Sequence, residues 1–135
     1  MLHMLDTDTA SYIIKGRSPA IGAKLRAISP AMVCISVMTR AELLYGLKRL
    51  PPEHRLHIAV RQFLKIVRVL PWDSEAADWY ADIRHQLISS GKPIGEIDMM
   101  IAAHSLAAGA VLVTNNQEHF KRIRAPLTLA NWSDR

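Results

Sequence analysis

The chain has 135 residues, half of them hydrophobic, with 17 Lys and Arg against 12 Asp and Glu for a formal charge of +5. That is room for one well-formed core and too little for two ordinary domains, so a single domain over residues 1–135 is expected. There is no run of about 18 uncharged apolar residues and no basic segment leading into an apolar one at the start, so the expectation is a cytoplasmic protein without a membrane span or secretory signal.

Residues 1–5 form a short apolar run that predicts a strand, and Asp6-Thr7-Asp8-Thr9 follows directly. Thr7, Asp8 or Thr9 is the expected N-cap of a helix through about Lys15, stopped by Gly16. Ser18-Pro19 opens a second helix with Ile21, Leu25 and Ile28 on one side, ending before Pro30. The second strand, residues 32–35, is apolar throughout, as in a parallel sheet covered on both faces. It contains the only cysteine, Cys34, which has no partner for an internal disulfide and is expected to be a small core residue. Ser36 then caps a helix reaching Gly46.

Pro51-Pro52 separates this from a helix in which Leu56, Ala59, Val60, Phe63, Leu64 and Val67 recur at three- and four-residue steps. A third strand is predicted over residues 67–70, ended by Pro71. Asp73-Ser74-Glu75 begins a long helix closed by Gly91. Pro93 and Gly95 break the chain again, and from Ile97 to Ala110 it is almost wholly apolar, which predicts a helix buried on nearly every face. Residues 110–113 are the fourth strand, Thr114-Asn115-Asn116 is a turn, a short helix surrounds residues 118–121, and a last strand is expected at 127–129. Strands alternating with helices from end to end imply an α/β fold: an open parallel sheet of about four to five strands with helices on both faces.

In such sheets ligands bind beyond the carboxyl ends of the strands, where loops and helix N-termini converge. Asp6 follows the first strand, Glu42 lies in the second turn of the helix after the second strand, and Asp98 opens the buried helix. A carboxylate entering a buried helix is costly unless it caps the first turn, is paired or holds a cation. Three acids converging on one edge would repel one another, and a hard divalent cation bound by oxygens removes the conflict. Magnesium suits best, with manganese the alternative. Each acid also has a simpler reading. Asp6 and Asp8 could be turn residues, Asp98 a first-turn acid, and Glu42 completes a formal capping box with Thr39. A basic surface around an acidic cleft suits a polyanionic partner, although charge runs such as Lys48-Arg49, residues 61–68 and Lys121-Arg122-Ile123-Arg124 are usually just solvated faces.

Four segments together resemble a known family: Met4-Leu5-Asp6-Thr7; Ile35-Ser36 through Ala41-Glu42-Leu43-Leu44-Tyr45-Gly46; Pro93-Ile94-Gly95 with Asp98 to His104; and Leu112-Val113-Thr114-Asn115-Asn116. In order and spacing they look like the successive motifs of PIN-domain ribonucleases, specifically VapC-type toxins of bacterial toxin–antitoxin pairs, and the resemblance spans the chain to Trp132. It implies Mg²⁺- or Mn²⁺-dependent RNA hydrolysis, with transfer RNA the expected target, homodimerisation, and inhibition by a cognate VapB-like antitoxin. By the matched motifs Asp6 and Asp98 would be the principal metal ligands and catalytic acids. Glu42 would be the third acid, holding the cation through water or helping to activate it. Asn116 or Asn115, with Thr114 before them, matches the position where other PIN domains carry a further acid. Glu96 stands where the family pattern expects proline or a small residue, and it is expected to cap its helix or to add an acid to the site.

Two other functions compete. Asp6-Thr7-Asp8-Thr9 after an apolar strand matches the opening D-x-D-x of the D-x-D-x-T of haloacid-dehalogenase-like phosphatases, whose first Asp is a nucleophile. A non-catalytic module that binds RNA or protein through the basic face is the other. The histidines supply no zinc set, and His104 is expected to be a core residue that finds a hydrogen bond.

Overall fold

The computed structural model describes residues 1–133. Five strands, β1 (His3–Leu5), β2 (Val33–Ser36), β3 (Arg68–Leu70), β4 (Val111–Val113) and β5 (Leu129–Ala130), form one sheet in the order β3-β2-β1-β4-β5. Every pairing is parallel. The helices are α1 (Thr7–Lys15), α2 (Pro19–Arg26), α3 (Val37–Lys48), α4 (Leu56–Ile66), α5 (Ser74–Ser89), α6 (Glu96–Ala108) and α7 (Gln117–Phe120), with a 3₁₀ turn at Pro30–Met32. The predicted α/β class, the parallel sheet and its five strands are all present.

Successive side chains of a strand point to opposite faces, and the core divides accordingly. Met4, Cys34 and Leu112, level with one another in the register, pack on one face with Ile83 and Leu87 of α5, Met99 and Ile101 of α6, and Phe120 of α7. Leu5, Ile35 and Val113 face the other way, against Ala10, Ile21, Leu43, Leu47 and Val60 of α1 to α4. Fully burying each such aliphatic side chain contributes roughly 1.5–3 kcal/mol, which is why the central strands are unbroken apolar runs.

The chain builds outward from β1 to β2 and β3 with α1 to α4 on one face. It then returns past β1 to β4 and β5, with α5 and α6 covering the other face. The reversal puts a crevice at the carboxyl ends of β1 and β4, the position where open α/β sheets bind ligands. Among the described residues, no helix is long and apolar enough to cross a membrane.

Most element boundaries shift by one or two residues from expectation, and two of the differences have a visible cause. The N-cap of α1 is Asp6, not Thr7, Asp8 or Thr9: the Thr9 backbone N–H donates to Asp6 Oδ1 at 2.9 Å. The last strand lies at Leu129–Ala130, later than the predicted 127–129, because its place is set by the neighbouring strand. Leu112 and Thr114 donate backbone hydrogen bonds to the carbonyls of Thr128 and Ala130, both at 2.9 Å.

Candidate active site

The strand register sets the base of the site. Leu5 lies level with Ile35 and Val113, so the next residues, Asp6, Ser36 and Thr114, stand side by side at the carboxyl edge of the sheet. The Asp6 backbone N–H donates to the Val113 carbonyl at 3.0 Å, which continues the ladder one step and places its carboxylate over the crevice. From there, Asp6, Thr7, Asp8, Glu42, Asp98 and Asn116 line one cavity of about 230 Å³. Side chains from four separated stretches of sequence thus share a wall, including the two acids 92 positions apart.

Asp6 is 4% exposed. Burial pushes its carboxyl above the ordinary value, against the hydroxyl of Thr114 and the backbone and hydroxyl of Thr9, which favour the charged form. Thr114, itself fully buried, also accepts the Asn116 backbone N–H at 2.9 Å, so one hydroxyl braces the end of β4 and the first acid together.

Glu42 is half-buried on α3. The capping box suggested by Thr39 and Glu42 does not form. Ser36 caps this helix, accepting the Met38 N–H at 3.0 Å, and Thr39 is a fully buried residue inside it. Glu42 Oε1 instead accepts from the Thr7 hydroxyl, and Thr7 Oγ1 lies 3.1 Å from Thr39 Oγ1. A hydroxyl carries one proton, so with Thr7 donating to Glu42 it is Thr39 that donates to Thr7. The chain Thr39 to Thr7 to Glu42 aims the carboxylate from α3 toward α1 and the cavity.

Asp98 sits in the first turn of α6. Burial, and after it the charges of Asp6, Glu42 and Asp8, push its carboxyl up to about 6. The position of α6 is held from behind. Trp72 Nε1 donates to the Met100 carbonyl at 3.1 Å, and His104 Nδ1 lies 2.8 Å from Ser36 Oγ. Burial depresses the His104 basicity, opposed by Asp73 and the Pro71 carbonyl. A neutral ring donating to that carbonyl leaves Nδ1 to accept from Ser36, the satisfied core histidine that the sequence leads one to expect.

The remaining candidates separate. Asn116 lines the cavity and its Nδ2 lies 2.8 Å from His119 Nδ1, whereas Asn115 is exposed and does not line it. Thr114 acts from beneath, through Asp6. Glu96 neither caps α6 nor enters the cavity: Gly95 holds the cap position, and the Glu96 carboxylate reaches back to Tyr80 and Arg84 of α5 on the exposed surface. Thr7 and Asp8 are cavity residues that sequence reasoning left as cap or turn candidates. Their signal was present in the repeated acid of Asp6-Thr7-Asp8, which puts both carboxylates at the mouth of α1.

Four acids around one small cavity, two of them with raised pKa values, are a donor set of hard oxygens lacking a counter-charge. Among the described residues, no group of three or more His, Cys, Asp or Glu side chains is drawn together closely enough to hold a metal ion as it stands.

The PIN domain family model matches residues 3–126. The chain belongs to the PIN-domain family, in its VapC branch. It is 40% identical over 121 residues to the tRNA(fMet)-specific endonuclease VapC of Salmonella typhimurium, covering 89% of this chain and 90% of that protein. To Ribonuclease VapC2 of Haemophilus influenzae it is 35% identical over 130 residues, covering 96% and 97%. The DNA-bound VapBC structure from Salmonella typhimurium superposes with a TM-score of 0.89 at 35% identity, covering 98% of this chain and 99% of that one. Likeness over nearly the whole PIN domain overturns the phosphatase alternative, which rested on four residues.

Proposed function

We propose that this PIN domain is a divalent-metal-dependent endoribonuclease toxin, with Asp6 and Asp98 as the metal-holding acids and Glu42 as the acid that acts on the attacking water. The observation that carries the reading is the convergence of those three carboxylates, from the end of β1, from α3 and from α6, on one cavity at the switch point of the sheet. When bound, Mg²⁺, or Mn²⁺ in its place, would neutralise charge developing on the phosphate and lower the pKa of a water. The protein groups do the rest. Asp6, braced by Thr9 and Thr114, and Asp98, carried on the anchored α6, would be the carboxylates that hold the cation. Glu42, oriented by Thr7, accepts a hydrogen bond from the water that attacks in line and takes its proton. Asn116 offers a neutral donor at the rim toward a phosphate oxygen. The products carry a 5′-phosphate and a 3′-hydroxyl.

Transfer RNA is the proposed substrate class, supported by the name of the Salmonella relative, and the site of action is then the cytoplasm. A cognate VapB-like antitoxin is the proposed inhibitor and a homodimer the proposed assembly, both supported by membership of the VapC branch. The test is cleavage of total transfer RNA by purified protein with Mg²⁺, with EDTA, and after Asp98→Asn. Metal-dependent cleavage leaving 5′-phosphate ends, lost in a folded Asp98→Asn protein, is expected. Cleavage that survives either EDTA or the substitution would refute the assignment.

A further inference from the structure

A second, larger concavity of about 840 Å³ is linked to the acidic cavity by two short stretches of chain. Its walls are the end of α5, the loop of residues 91–93 and the turn of residues 121–124. Lys92, Lys121, Arg122 and Arg124 line it against a single acid, Glu118. Both walls continue into the active site: the loop of residues 91–93 runs into α6 and Asp98, and the turn follows α7, whose N-cap is Asn116.

The groove is built and not merely lined with charge. The Gln86 side chain clamps the turn at both ends, Nε2 donating to the Arg122 carbonyl at 2.9 Å and Oε1 accepting the Arg124 N–H at 3.0 Å. Arg122 Nη1 in turn donates to the Pro93 carbonyl at 3.2 Å and ties the two walls together. Glu118 lies 3.8 Å from Lys121, both highly exposed, an arrangement too weak to neutralise the lysine. Among the described residues, no aromatic ring lines the groove.

We propose that this groove holds the phosphate backbone of a folded, helical segment of the RNA substrate next to the scissile bond. The proposal rests on the ribonuclease reading above. Cations without aromatic stacking platforms fit phosphates and not splayed bases, which single-strand binders hold on aromatic rings. The groove therefore contributes register and affinity without reading sequence, and it favours structured RNA over an unpaired strand.

The test is binding of a labelled transfer RNA, followed across a salt series in the cleavage-deficient Asp98→Asn background. The groove variant combines Lys92→Gln, Lys121→Gln and Arg124→Gln, leaving the Arg122 tie to Pro93 in place. The matched control combines Arg17→Gln, Lys24→Gln and Arg26→Gln, which removes the same charge from the segment after the far end of α1 and from α2. Each lost phosphate contact should flatten the plot of log affinity against log salt by roughly 0.7–0.9. The groove variant should therefore lose roughly two to three units of slope and the control none. A slope unchanged in the groove variant, or reduced equally by the control, overturns the proposal. So does a groove variant that loses antitoxin binding but retains RNA binding, which would assign the surface to the antitoxin. Wild-type protein that cleaves the same RNA while the groove variant binds it normally refutes the groove alone. Wild-type protein that cleaves no RNA refutes the ribonuclease reading as well.

Discussion

Replacing Asp98 by Asn should stabilise the metal-free protein while abolishing its activity. The Asp98 carboxyl is raised from 3.8 to about 6 by burial and by the charges of Asp6, Glu42 and Asp8. At about 1.36 kcal/mol per pKa unit this is about 3 kcal/mol, and because the group is only half-buried, solvent screening leaves on the order of 1–2 kcal/mol. The sign follows from linkage. A carboxyl whose folded value lies above its unfolded value penalises the folded state once it ionises, so the penalty is full above pH 6 and fades as the pH falls toward 3.8. Asp98→Asn, which has no charge to lose, should melt higher than wild type in EDTA at pH 7.5, by about 3–5 °C per kcal/mol for a chain of this length. The difference should shrink as the pH falls below 6. Millimolar Mg²⁺ should raise the wild-type melting temperature and move the variant little. Calorimetry at several pH values with and without metal measures all of this. An Asn variant that is no more stable at pH 7.5, or equally more stable at every pH, would show that carboxylate repulsion does not govern this site.

Thr7→Val removes the donor to Glu42 while keeping the shape of the residue. A hydrogen bond to a charged group is worth about 1.5–3 kcal/mol, so kcat/KM for RNA cleavage should fall roughly 10- to 100-fold with the fold intact by circular dichroism. His104→Phe strips the α6 partner from Ser36 and should cost about 1–3 kcal/mol in urea unfolding, while Ser36 still caps α3. Glu96→Gln should leave metal-dependent cleavage at the wild-type rate, since its carboxylate engages Tyr80 and Arg84 away from the cavity. The Cys34 thiol is fully buried and pushed up to about 11, so mass spectrometry should find it alkylated by iodoacetamide only after denaturation.

The sequence was most legible where burial is two-sided. β2 and β4 are runs without a polar residue until their carboxyl ends, and α6 is apolar on nearly every face, so both could be placed without knowing their neighbours. The ends of elements were harder, because they are set by partners remote in sequence. Asp6 could be assigned either to a turn or to a site from local pattern alone, and in the structure it does both, capping α1 with one oxygen while facing the cavity. Thr39 and Glu42 have the spacing of a capping box, but the β2 register puts Ser36 at the cap and turns Thr39 inward. Glu96 was ambiguous for the same reason: only the packing of α5 against α6 reveals that Tyr80 and Arg84, four apart on one helix, lie within its reach.

The way these residues share tasks argues that the acids were arranged for a cation and not tolerated as capping groups. A capping carboxylate needs one oxygen on a backbone N–H and the other facing solvent; the exposed Asp73 caps α5 in this way, accepting the Ala76 N–H at 3.0 Å. Asp6 makes the same backbone bond, yet its carboxyl is raised, because the crevice removes the water that Asp73 keeps. Asp98 lies at a helix N-terminus, where the dipole favours an anion, and its carboxyl is raised even so. Dipoles and hydroxyls at this edge of the sheet fall short of what the buried charges need. The deficit is positive charge at the cavity, and the divalent ion proposed above would meet it. Stability and catalysis then draw on the same interaction, so a substitution that relaxes one must impair the other.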